Sequence, residues 1–382
     1  MKILHLCLSC FYIDNYSYQE NLLPKYHKEL GYDVKIIASL MSFDKNGNQT
    51  YLSYAREYIN EYGIPVKRIP FKHGFKIDKI LKCYKGTYEA IDEYNPDVIF
   101  IHGVQFIDIG IVVKYLKTHN NVKVFIDNHS DFSNSATNWI SKNIQHKILW
   151  RHFAQKINPY VIKFYGVLPA RVDFLVNMYG LPKEKVELLV MGADDDLVEK
   201  SSLPEVKQRI RAQYNINEDD FLIVTGGKID QWKKQTLLLM DTVNQITEKN
   251  IKLIVFGSVI QELKSEVERR VSDKIRYIGW IKSEDSYNYF AASNLVVFPG
   301  RHSVFWEQVA GQGIPMVCKY WEGTTHVDGG GNVKFLYQDT VDEIYNCIKQ
   351  IYLNEYQSMY NFAQKVKSNF LYSEIARKSI EE

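Results

Sequence analysis

A chain of 382 residues is too long for one ordinary hydrophobic core, so two domains are expected. Hydrophobic residues at 46% and charged residues at 24% describe a globular protein and exclude a disordered or fibrous one. A formal net charge of only +2 argues against a dedicated nucleic-acid binder.

Short apolar runs alternate with amphipathic stretches. Residues 2–8 read as a strand, 19–31 as a helix stopping at Gly31, and 33–38 as a second strand. Residues 53–62 read as a helix ended by Gly63, 66–69 as a short strand, and 77–94 as a helix closed by Pro96. Buried strands follow at 98–101 and 122–126. The pattern then restarts. Strands are expected at 221–225, 252–256, 275–278, 295–298 and 315–318, and helices near 233–248, 258–271, 284–292 and 304–312, before a mostly helical tail. Strands alternating with helices imply parallel sheets covered on both faces. The fold class is therefore α/β, two doubly wound Rossmann-like domains whose ligands bind at the strands' carboxyl ends, in a crevice between them. The join is placed near 194–205, where Asp194-Asp195-Asp196 and Pro204 break the apolar pattern. This gives a first domain over 1–195, a second over 196–365, and a C-terminal helix over 366–382.

The charge is uneven. Residues 1–190 carry 24 Lys and Arg against 18 Asp and Glu, and the remainder carries 23 against 27. A basic first half fits an anionic partner such as a membrane surface. The stretch 142–164 spaces Ile144, Ile148 and Ala154 with Trp150 among basic residues, which suits either a membrane-surface helix or a half-buried one. Five scattered cysteines form no disulfide framework, and the lone pair Cys7 and Cys10 completes no zinc site. The first apolar run is short and interrupted by His5, unlike a signal peptide, so a cytoplasmic protein is expected.

Four segments carry candidate chemistry. Gly226-Gly227-Lys228 follows a strand and precedes Lys233 and Lys234; free backbone N–H groups beside lysines suit a diphosphate, or simply make a tight turn. Gly300, Arg301, His302, Ser303 and Val304 lie between a strand and a helix, with Glu307 one turn in, where its carboxylate can take a ribose diol or complement the helix dipole. His102 and His129 each follow a buried strand and can relay protons near neutral pH, although histidines so placed also serve structure. No G-x-G-x-x-G follows a strand, which speaks against a dehydrogenase.

Together these segments resemble retaining glycosyltransferases of family 4, which have the GT-B fold. The resemblance is patchy in the first half and nearly continuous from about 165 to 378. Residues 165–194 resemble the family's linker, with Gly192-Ala193-Asp194 in place of G-V-D. Gly227 and Lys228 with Lys233 resemble the G-R…K that grips the donor diphosphate. Gly257 and Gly279-Trp280-Ile281 resemble the strand-end glycine and the loop around the nucleobase. Glu307 before Gly313-Ile314-Pro315 resembles the ribose-binding glutamate of the E-x7-E element, whose first glutamate is replaced here by Pro299. His129 resembles the histidine that lies against the transferred sugar. His102 and Tyr16, the latter where a glycine pair is usual, are expected on the acceptor side. The resemblance implies a bacterial enzyme of polysaccharide synthesis, moving a sugar from a nucleotide-sugar donor to a glycan or lipid-linked acceptor, with no cofactor, metal or nucleic acid, at the inner face of the membrane. A nucleotide-sugar epimerase or hydrolase, or a non-catalytic binding relative, is the alternative.

Overall fold

The computed structural model describes residues 1–44 and 48–382. The chain divides into two compact units, Met1–Val190 with Ile375–Glu382, and Met191–Glu374.

The first unit carries β1 (Lys2–Cys7), β2 (Asp33–Ala38), β3 (Met41–Phe43), β4 (Gln49–Tyr51), β5 (Glu57–Ile59), β6 (Pro65–Arg68), β7 (Val98–His102), β8 (Lys123–Asn128), β9 (Lys163–Gly166) and β10 (Val186–Leu188). Its main sheet runs β10-β9-β8-β7-β1-β2-β6-β5, while β3 and β4 pair apart from it. Neighbours in the main sheet are parallel except β5 and β6. Strands buried on both faces read as continuous apolar runs, as Val98-Ile99-Phe100-Ile101 does. The strand order reverses between β1 and β7, so the switch-point crevice opens where Cys7 and His102 end their strands.

The second unit carries β11 (Phe221–Gly226), β12 (Ile251–Phe256), β13 (Ile275–Tyr277), β14 (Leu295–Phe298), β15 (Met316–Lys319) and β16 (Val333–Leu336). They form one parallel sheet in the order β13-β12-β11-β14-β15-β16. Its switch point falls between β11 and β14, above the Gly227 and Gly300 loops. The apolar sides of β11, β12 and β14 pack on the helices Thr236–Gln245 and Val341–Gln350.

Several expectations are corrected. Residues 53–62 are not helical: β5 turns back on β6, because Asn60 Oδ1 accepts from the N–H groups of Tyr62 and Ile64, and Gly63 takes φ 69°. The helix expected over 77–94 is two helices, Phe75–Leu81 and Thr87–Tyr94, broken at Lys82, which adopts φ 55°. The helix expected over 258–271 shrinks to Lys264–Glu268 after a 3-10 turn. Residues 165–194 are more than a linker, since β9 and β10 extend the first sheet by backbone pairing.

The observed division falls at 190/191 rather than 195/196. Ala193 N–H donates to Phe370 O at 2.8 Å and Ala193 O accepts from Tyr372 at 3.0 Å, which fastens this segment to the second unit. Residues 366–374 likewise stay with the second unit, and only Ile375–Glu382 joins the first, where Tyr165 Oη donates to Lys378 O at 3.2 Å.

Candidate functional site

In the second unit three glycines line up across the ends of β11, β12 and β13. Gly257 N–H donates to Gly279 O at 2.7 Å, and Gly227 N–H donates to Phe256 O at 3.1 Å. A side chain at Gly257 would begin 1.9 Å from Gly227 O, and its φ of 127° also requires glycine. Gly300, across the switch point, packs against Lys233: a Cβ there would sit 3.2 Å from Lys233 Cα. The glycine turn after β11 and the loop after β14 are thus one constellation.

Lys233 is half-buried and Lys234 exposed, so Lys233 is the lysine of this constellation. Burial draws its pKa below the usual lysine value, and Asp230 opposes that shift. Lys228 is more peripheral, its side chain 60% exposed and its Nζ 3.9 Å from Asp230. Arg301 lies over the Trp232 ring at 4.1 Å and the Trp321 ring at 5.7 Å, a planar cation held by two aromatic faces. Ser303 Oγ accepts from Phe305 N–H at 3.4 Å, ahead of the helix Phe305–Gln312.

Glu307 is fully buried in that helix. Its Oε1 accepts from His302 Nε2 at 2.8 Å and from His326 Nε2 at 2.7 Å. Burial alone would raise this carboxyl's pKa, but the two imidazoles outweigh it and hold the group well below the usual carboxylate range. Glu307 Oε2 is buried and has no hydrogen-bond partner among the described residues. One oxygen is fixed by the two imidazoles and the other is left without a partner among the described residues. His302, Glu307 and His326 offer ligand atoms within 4.8 Å of one another, as do His73, Asp78 and Cys83. Around Glu307 the separations are those of hydrogen bonds; zinc bonds of about 2.0–2.1 Å in tetrahedral array hold ligands roughly 3.3 Å apart.

In the first unit a cavity of about 600 Å³ opens at the β1/β7 switch point, and both His102 and His129 line it. Asp127 lies beneath, its Oδ2 2.8 Å from His102 Nδ1 and 3.6 Å from His129 Nε2. Burial disfavours its ionisation, yet His102 and then His129 hold it well below the carboxylate range. Phe11, Phe43, Ile80 and Trp150 give the cavity an apolar rim, and Lys82 lines it too. Burial lowers the Lys82 pKa to about 8.

Not every expected residue joins these sites. Tyr16 is exposed and does not line the cavity; Tyr18, two residues on, does. Trp280 is 70% exposed, Ile281 is half-buried and Val304 is exposed. Asp194-Asp195-Asp196 opens a helix, with Asp194 accepting from Asp196 N–H at 3.1 Å. Trp232, Trp321 and His326 were not singled out in the sequence. The Gly329-Gly330-Gly331 run marked a loop near His326, but nothing in its spacing tied it to Glu307. A second cavity of about 640 Å³, near Lys207, Asn294 and Tyr360, is lined by Ile314 and Pro315 but by none of the expected site lysines or histidines nor by Glu307.

The fold is GT-B, two Rossmann-like parallel-sheet units, and solved structures share it over essentially the whole chain. The Anabaena protein Alr3699/HepE in complex with UDP matches with a TM-score of 0.68 at 16% identity, covering 99% of this chain and 98% of that one. A glycosyltransferase from Rickettsia africae matches at 0.66 and 14%, covering 99% and 96%. A UDP-GlcNAc 2-epimerase from Neisseria meningitidis bound to UDP-GlcNAc matches at 0.62 and 11%, covering 99% and 98%. Within this fold, residues 220–354 match the family model described as Glycosyl transferases group 1, and the glycine turn, Lys233 and Glu307 all lie in the matched stretch. No protein of curated function matches the sequence.

Proposed function

We propose that this protein is a retaining glycosyltransferase that moves a hexosyl group from a nucleoside-diphosphate sugar to a hydroxyl of a glycan or lipid-linked acceptor. One observation carries the reading: Gly227, Lys233 and Gly300 converge at the switch point of the group 1 domain, with Glu307 nearby in the helix that follows. Glycines at strand ends let backbone N–H groups approach a diphosphate closely. Lys233 adds a desolvated positive charge, and Glu307 Oε2 can accept from a ribose hydroxyl. As the glycosidic bond breaks, negative charge gathers on the leaving diphosphate, and fixed donors stabilise it without reorganising. His129 and the cavity it lines would hold the acceptor side. The UDP-bound and UDP-GlcNAc-bound relatives are consistent with a uridine donor. The expected chemistry needs no metal.

Mass-spectrometric product analysis with and without acceptor separates the readings. Transfer predicts nucleoside diphosphate in step with a glycosylated acceptor. An epimerised or hydrolysed sugar formed without acceptor would replace this reading with the epimerase one.

Contact with an anionic membrane, as expected for a bacterial enzyme of capsule or lipopolysaccharide assembly, has support in one exposed face. Ile140, just before the helical stretch 141–150, and Ile144 and Ile148 within it recur every four residues and are 47–65% exposed, with Trp139 70% exposed beside them, whereas Trp150 and Ala154 are buried. Between Asp131 and Asp173 there is no acidic residue, while Lys142, Lys147, Arg151 and Lys156 flank the stripe. No helix among the described residues is long and apolar enough to cross a membrane. The protein is expected to float with vesicles containing phosphatidylglycerol and not with pure phosphatidylcholine. Ile144→Ser with Ile148→Ser should reduce binding by about tenfold or more, since each buried side chain contributes roughly 1.5–3 kcal/mol. Undiminished flotation of the double variant would remove this face from the account.

A further inference from the structure

Behind the cavity of the first unit, buried side chains form an unbroken row. Asp127 Oδ2 meets His102 Nδ1 at 2.8 Å, His102 Nε2 meets His5 Nδ1 at 3.0 Å, and His5 Nε2 meets His27 Nδ1 at 2.9 Å. The row ends where His27 Nε2 lies 2.9 Å from Ala376 O and 3.0 Å from Ser379 Oγ. His5 lies in β1, His102 in β7, Asp127 in β8 and His27 in the helix Gln19–Glu29, and no imidazole is more than 1% exposed.

Counting protons shows what this row requires. The contacts from Asp127 to Ala376 number four, and each needs one proton. Ala376 O can only accept, and Ser379 Oγ gives its own proton to that same carbonyl at 2.8 Å. Ionised Asp127 also only accepts. Three neutral imidazoles bring three protons, one too few. With Asp127 ionised, three neutral imidazoles therefore set two lone pairs against each other in a dry core, where unmet polar contacts are costly. One extra proton satisfies every contact, and with the charge on His102, the ring beside the carboxylate, the tautomers of the other two rings are fixed. His27 and His5 are then neutral with the proton on Nε2, and His102 is protonated on both nitrogens.

We propose that His102, His5 and His27 form a proton-loaded brace that keeps Asp127 ionised and aimed at His129 on the cavity floor. The three histidines are positioning residues, acting through Asp127. The charge sits on His102 because that ring touches the carboxylate. Burial works against it most strongly, but Asp127 overcomes burial and carries the His102 pKa up to about 9. Burial, then the neighbouring imidazoles, lower the His5 pKa well below its usual value. Burial is also the main cause for His27, bringing it to about 4. The titratable groups acting on His102 are Asp127 from β8, His5 and Cys7 from β1, and Glu20 and His27 from the helix Gln19–Glu29. Asp127 in turn faces Gln19 Nε2 at 3.2 Å and His129 Nε2 at 3.6 Å. Since the folded His102 pKa exceeds the unfolded value, the brace's contribution is full below about 6.5 and is lost as pH rises through about 9.

The test is nitrogen-15 NMR of histidine-labelled full-length protein, assigned by single substitutions. At pH 7.5 the brace predicts one doubly protonated ring, His102, titrating near 9, with His5 and His27 neutral on Nε2. A neutral His102 at that pH, or either other ring protonated on Nδ1, would overturn it. His27→Leu removes the terminal demand for a proton, so the His102 midpoint should fall by roughly one pH unit or more. A packing role alone leaves that midpoint in place. Should His27→Leu fail to fold, the wild-type tautomers decide. The link to His129 rests on the acceptor-side reading given above. Its signature is an alkaline limb in kcat that follows the His102 midpoint while KM for the donor stays constant. Absence of any transfer would count against the proposed function and leave the NMR result standing.

Discussion

Lys233→Ala is expected to lower turnover about 10²–10³-fold while the protein stays folded. The size follows from position. Lys233 is half-buried against Gly300, so its charge acts through protein rather than bulk water, and burial already lowers its pKa. Among the described residues it has no ion pair within 4.0 Å, so its removal leaves no buried carboxylate unpaired, and unfolding free energy should change by about 1 kcal/mol or less. Lys228 was the sequence's counterpart of the family's arginine. Its exposure and its contact with Asp230 predict a smaller loss for Lys228→Ala, under about tenfold. Initial-rate measurements on both variants check this, and equal losses would put the diphosphate elsewhere.

Glu307→Gln should affect binding and stability together. A hydrogen bond to a charged group contributes about 1.5–3 kcal/mol, so the donor KM should rise roughly 10–100-fold if Oε2 holds the ribose. The substitution also takes the anionic acceptor away from the His302 and His326 N–H groups in a buried site, which costs about 1–3 kcal/mol. The pH dependence has a definite sign. The folded carboxyl titrates below its unfolded value, so its contribution is present above the ordinary carboxylate range and is lost as pH falls through the folded pKa. Chemical denaturation of wild type and Glu307→Gln should therefore show the full difference at pH 7 and a shrinking one in strong acid. A constant difference at all pH values would mean that the charge contributes nothing.

The strands that build the two switch points were legible because buried parallel strands are short, uninterrupted apolar runs, such as Leu295-Val296-Val297-Phe298. The pairing of β5 with β6 was not, because β5 falls in a stretch that reads as a helix while β6 reads as a strand. Strands of three and four residues carry too little alternation, and Asn60, which fixes the turn, acts through its side chain. In the second unit, glycines directly after strands pointed to loops that the structure packs together, because close approach of backbone leaves room for nothing larger. His326 escaped because it reaches Glu307 from a loop 19 residues away. The histidine row escaped for the same reason, as His5, His27, His102 and Asp127 come from separate elements and meet only through sheet register and helix packing. Chemistry assembled within one loop leaves a trace in sequence; chemistry assembled across elements does not.

The central claim is that the second unit holds a nucleoside-diphosphate sugar on Gly227, Lys233 and Glu307. It is tested most directly by thermal shift and calorimetric titration of the full chain with UDP, GDP, ADP and CDP and their sugars. The account predicts that one nucleotide raises the unfolding temperature and binds with a measurable Kd, and that Lys233→Ala and Glu307→Gln each weaken that binding. Failure of every nucleotide to bind the folded protein would contradict it.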